Sequence, residues 1–72
     1  MYDKKYVVCI SNAEYPIDLV KNKIYEIIPD KKAEAESMLR IMDESGEDYL
    51  YDESLFIALS LPNNVEKALQ AA

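Results

Sequence analysis

Six carboxylates fall within residues 43–53, as Asp43-Glu44, Glu47-Asp48 and Asp52-Glu53, with no basic residue among them. Paired carboxylates can serve general acid–base catalysis, cleave glycosides or hold a hard cation. Glycoside cleavage needs two carboxyls facing across a sugar cleft, and 72 residues leave little room for one. A calcium loop started at Asp43 would require glycine where the chain has Asp48, and its flanks read as strands rather than helices. Both readings fail, which leaves these acids as solvated turn residues that deter edge pairing. Histidine is absent, so there is no Ser-His or Cys-His nucleophile pair and no imidazole shuttle. One cysteine without histidine makes no zinc site. Cys9 stands among Val7, Val8 and Ile10, the setting of a buried thiol rather than an activated one. No catalytic residue, metal or cofactor is expected, and the chain does not read as an enzyme.

The tyrosines offer different chemistry. Six of them stand against one phenylalanine and no tryptophan. A phenol suits a place where one edge packs and the hydroxyl stays wet, as at a barrel rim or a binding surface. Tyr49 and Tyr51 share a strand face by alternation, and Leu50 takes the other. With Leu50 inward, both rings point out beside the acidic turn; with Leu50 outward, both pack into the core. The first arrangement makes Tyr49, Tyr51, Glu47 and Asp48 the candidate contact residues, with Tyr25 and Tyr15 able to join them. Met38 and Met42 flank Arg40 on one parity of a neighbouring strand, where methionine suits either an adaptable interface or a surface covered by a helix.

A sheet must position these groups. Gly46, the only glycine of 72 residues, marks a hairpin between the apolar run Met38 to Met42 and the segment Tyr49 to Tyr51. Glu44-Ser45 begin the turn and Gly46 takes its positive-φ position. Strands are expected at Lys5–Ser11, Ile24–Ile28, Met38–Asp43, Asp48–Tyr51 and Leu55–Ser60. The uncharged run from Leu55 to Leu59 reads as an inner or well-covered strand. Residues 31–37 read as a loop with helical character, since Ala33, Glu34, Ala35 and Glu36 favour a helical turn. Asp52-Glu53-Ser54 forms a tight corner. Asn63 and Glu66 resemble a capping box, and Val65, Ala68, Leu69 and Ala72 recur at helical spacing, so a C-terminal helix is expected to pack on the sheet. The whole is one domain over residues 1–72, a small, partly open barrel at 5–60 followed by a helix at 63–72.

Three stretches carry a resemblance. The Tyr6-Val7-Val8 strand, the Val20–Ile27 pattern of apolar-Lys-x-Lys-x-Tyr-x-Ile, and the Asp43–Tyr51 hairpin with Leu55-Phe56 after it are similar to small bacterial and phage proteins with SH3-like barrels. The resemblance covers about residues 5–59 and implies a mainly β, five-stranded SH3-like barrel, to which the residues after 63 add a short C-terminal α-helix. It transfers no functional residue.

Charge and length narrow the partners. Residues 1–32 hold six lysines against five acids, whereas residues 33–72 hold two bases against nine acids. That surface repels phosphate backbones, so nucleic acid is not an expected partner. The apolar run Tyr6 to Ile10 is too short for a signal peptide or a bilayer span, and a lone cysteine suits a reducing compartment, so the expected location is cytoplasmic without membrane attachment. The expected role is a non-catalytic protein-interaction module whose partner is another protein. A decoy mimicking nucleic-acid phosphate and a structural homodimer subunit are the alternatives.

Overall fold

The strands form where β-branched and aromatic residues alternate across a half-buried face. A computed structural model describes residues 5–71. Its strands are β1 (Tyr6–Cys9), β2 (Ile24–Ile28), β3 (Met38–Met42), β4 (Asp48–Asp52) and β5 (Phe56–Leu59), with helices α1 (Lys31–Ala35) and α2 (Asn63–Ala71). All neighbours pair antiparallel in one sheet of order β4-β3-β2-β1-β5. β4 and β5 are its edges, so the barrel does not close. β2 makes the corner: its residues 24–26 pair with β1 and its residues 27–28 with β3. The Cα radius of gyration is 11.6 Å, close to the ~11 Å of a compact chain this long.

One face of this bent sheet is the core. Val7 and Cys9 of β1, Tyr25 and Ile27 of β2, Leu39 and Ile41 of β3, Tyr51 of β4 and Phe56 of β5 meet there, joined by Leu19 from the β1–β2 loop. The period-2 spacing of these residues is what a sheet with one covered face requires. Cys9 is fully buried, and burial pushes its thiol up despite a hydrogen bond to the Ser11 carbonyl.

Several expected boundaries shift. β1 ends at Cys9 rather than Ser11: the Ile10 N–H still donates to the Leu55 carbonyl in register with β5, but Leu55 already lies in the turn before that strand. Residues 31–35 settle as α1, where Asp30 caps the helix by accepting from the Ala33 N–H at 3.1 Å. The corner after β4 is a short 3-10 turn at Glu53–Leu55, capped by Asp52. The expectation that β5 is an inner or well-covered strand is corrected: it is an edge, with only Phe56 buried. Among the described residues it pairs with β1 alone, and Ile57 is left 54% exposed.

The C-terminal helix forms, but Asn63 lies inside it instead of capping it. The Pro62 carbonyl accepts from the Val65 and Glu66 N–H groups, so the expected capping box is absent. Val65 and Leu69 stay more than a third exposed, as does Met42, so the helix stripe leaves Met42 uncovered. The Ala72 end of that stripe lies outside the described residues. Among the described residues no helix is long and apolar enough to cross a membrane.

Candidate functional site: a tyrosine-lined cleft beside the β3–β4 turn

The turn between β3 and β4 is built by its own acids. The Gly46 N–H donates to the Asp43 carbonyl at 3.1 Å, with Gly46 at φ +82°. The Asp43 carboxylate accepts from the Ser45 N–H at 2.9 Å, from Ser45 Oγ, and from the Tyr51 hydroxyl at 2.6 Å. Asp43 is therefore buried but fully engaged. Burial works to raise its carboxyl; the Ser45 and Tyr51 hydrogen bonds outweigh that and hold it below the usual range. Burial and the Asp43 partner together push the Tyr51 phenol strongly up.

Glu44 ties the turn to the long β1–β2 loop. Its N–H donates to the Asp18 carbonyl at 3.0 Å, and its carboxylate accepts from Lys23 Nζ and from the Tyr25 hydroxyl at 2.7 Å. The same Tyr25 oxygen accepts from the Val20 N–H at 2.7 Å. Burial first, and the Glu44 hydrogen bond second, push the Tyr25 phenol up to about 12. The loop is thus pinned where it crosses the turn, and Leu19 is sealed beneath it.

A cleft opens where that loop meets β4. Tyr15, Asp18, Ser45, Tyr49, Leu50 and Tyr51 line it, and its volume is about 190 Å³. The Tyr15 ring meets the Tyr51 ring nearly perpendicular, at 87° with centroids 4.8 Å apart. The Leu19 N–H donates to the Tyr15 carbonyl at 3.0 Å, a single helical turn that sets Tyr15 and Asp18 on one side of the loop. Tyr49 is 50% exposed at the rim, and its hydroxyl donates to Glu47 at 3.1 Å.

The expected contact residues divide. Tyr49 and Tyr51 do share a face, as alternation requires, but that face looks into the core while Leu50 points outward. The arrangement in which both rings point out is therefore corrected: Tyr51 is the inner wall of the cleft, at 3% exposure, and only Tyr49 is open. Tyr25 is also removed from the contact surface, since it is buried and its hydroxyl is occupied. Asp48 lies on the opposite face, where Arg40 bridges it at 3.1 Å to Asp30 at 2.8 Å. Glu47 and Tyr15 remain beside the cleft. Asp18, Ser45 and Leu50 join it without having been singled out; the Tyr15-x-x-Asp18 spacing was the legible signal for the first.

The lining brings together phenol rings, hydroxyls and one carboxylate. No nucleophile–base pair occurs among these six residues. Comparison of the chain with known protein families, with curated proteins and with solved structures finds no match.

Proposed function

We propose that the chain is a non-catalytic protein-interaction module of the cytosol, built on a partly open SH3-like barrel, that docks a partner protein on the Tyr15–Tyr49–Tyr51 cleft. The observation that carries this reading is Tyr49. It stays half exposed beside Tyr15, over a buried ring on the same strand face, where an aromatic anchor meets a partner at small desolvation cost. The SH3-like reading is supported by the strand order β4-β3-β2-β1-β5, the partner switch within β2 and the 3-10 turn joining β4 to β5. Kinship with small bacterial and phage proteins rests on the hairpin pattern and Leu55-Phe56. The direct test is affinity capture from host lysate with the native chain and with Tyr49→Ala. Loss of a captured protein supports the surface; an unchanged set of captured proteins removes it.

A homodimer is the second reading, and a different surface favours it. On the outer face Ile24, Val8 and Ile57 stand abreast in register across β2, β1 and β5, with Ile24 37% and Ile57 54% exposed. Sedimentation at micromolar concentration distinguishes a dimer that Ile57→Lys dissociates from a chain that is monomeric throughout. The phosphate decoy draws less support. Lys23 pairs with Glu44, Arg40 is shared by Asp48 and Asp30, and Asp43 is buried, so part of the turn's charge is already engaged within the chain.

A further inference from the structure

We propose that the cleft binds an alkylammonium group, and that this group is the side-chain head of a lysine in a basic segment of the partner. The inference rests on the cleft being the docking surface, and it adds the chemistry of what docks.

Three features on the page lead there. The first is the arrangement of rings. Tyr15 and Tyr49, 37% and 50% exposed, are the open rings of the cleft, and the buried Tyr51 ring, packed nearly perpendicular to Tyr15, forms its floor. A cation is drawn to the negative face of an exposed ring, and Tyr is one of the residues that offers it. The second is charge. Asp18 lines the cleft, and the charged neighbours acting on the Tyr49 and Tyr51 hydroxyls, Glu47, Asp43 and Asp18, are all negative. Lys23, a basic side chain at the turn, is held by Glu44, and Arg40 is held by Asp48 and Asp30. The third is size. A volume of about 190 Å³ lies below the roughly 300 Å³ at which drug-sized sites begin, so it suits one side-chain head and not a whole small molecule.

The surroundings select a protein segment over a free amine. Ile17 is 86% exposed and Val20 46% exposed on the same loop that carries Tyr15 and Asp18. A small amine seated in the cleft would leave both uncovered, whereas a peptide chain passing over the loop would bury them. The geometry also separates a ring cage from a plain ion pair. Trimethylation removes every N–H of the ammonium but keeps its charge, so attraction to ring faces survives it and hydrogen bonding to Asp18 does not.

The test is an NMR titration of the full chain with Gly-Ser peptides of equal length carrying lysine, trimethyl-lysine or norleucine, and with free choline. The expected result is that the lysine and trimethyl-lysine peptides shift the amides of Tyr15, Asp18, Tyr49 and Tyr51, with trimethyl-lysine bound at least as tightly. Norleucine should leave these amides unmoved, and choline should bind more weakly than either charged peptide. Tyr49→Ala and Asp18→Asn, whose side chains lie outside the core cluster, should each weaken the lysine peptide on the order of tenfold. Norleucine binding as well as lysine, loss of binding on trimethylation, or no binding of the lysine peptide overturns the ammonium site. Choline binding as tightly as the peptides overturns its assignment to a protein segment. If Tyr49→Ala still loses a captured protein while the lysine peptide does not bind, the docking surface survives and the ammonium chemistry fails.

Discussion

Tyr51–Asp43 and Tyr49–Glu47 are the same pair of chemical groups, a phenol donating to a carboxylate, on one face of one hairpin. Inside, the bond is 2.6 Å long, and Asp43 also takes two donors from Ser45. Outside, the bond is 3.1 Å long and solvent reaches both partners. The inner pair is structural, because Ser45 engages only Oδ1 of the buried Asp43, and Oδ2 would stay desolvated after losing the Tyr51 hydroxyl. The outer pair is replaceable by water, which frees Tyr49 to exchange its neighbours for a ligand. Burial, and not residue type, separates the acid that holds the turn from the acid that remains available.

Substitutions break or sharpen this contrast, starting with the largest effect. Tyr51→Ala empties a buried ring site and takes the donor from Asp43 Oδ2, so a loss of about 3–5 kcal/mol is expected. At roughly 4–8 °C per kcal/mol in a chain this small, thermal unfolding should show it plainly. Tyr51→Phe keeps the packing and removes one donor from Asp43, for about 1–2 kcal/mol. If Tyr51→Phe proves as stable as the native chain, the inner pair is not structural.

A smaller cost attaches to the backbone of the turn. Gly46 sits at φ +82° with open space where a Cβ would go, so Gly46→Ala should cost about 1 kcal/mol through backbone strain alone. Denaturant unfolding measures it, and no loss would mean that the turn relaxes without its left-handed residue.

The pH dependence brackets the contrast from both sides. The Asp43 and Glu44 carboxyls lie below their ordinary values of 3.8 and 4.5 in the fold. The unfolded chain therefore binds more protons in acid, and their stabilisation, complete above about pH 5, is lost as pH falls through and below those values. The Tyr25 phenol is raised from 10.0 to about 12, so the fold keeps a proton that the unfolded chain releases, and stability falls as pH rises across that interval. Absorbance of tyrosinate should resolve Tyr25 and Tyr51 as late titrations, and all tyrosines titrating together near 10 would contradict the buried pairs. The smallest effect belongs to the outer pair. Glu47→Gln should leave the thermal midpoint unchanged.

Much of the architecture was legible beforehand for local reasons. Gly46 could only serve a positive-φ turn. Alternation placed Leu39 and Ile41 on one parity of β3 and Met38 and Met42 on the other without deciding which is covered, and Tyr25, a contact candidate by residue type, packs in the core beside Ile27. The edge position of β5 was not legible. An uncharged run looks the same whether it lies inside a sheet or at its margin, and which strand pairs with β1 depends on long-range closure. The C-terminal stripe failed for a related reason: helical periodicity records an apolar face but not whether anything lies against it.

Of the cleft, the chain alone determined that Tyr49 and Tyr51 face the same way, because successive residues of a strand alternate. It also determined that carboxylates crowd the turn. Only the tertiary structure decided which ring is sealed and which is open. The β1–β2 loop, pinned by Glu44 to Lys23, Tyr25 and the Asp18 carbonyl, lays Tyr15 against Tyr51 and leaves Tyr49 half exposed. How far that cover reaches is set by contacts between residues about twenty to forty positions apart, and no local pattern encodes it.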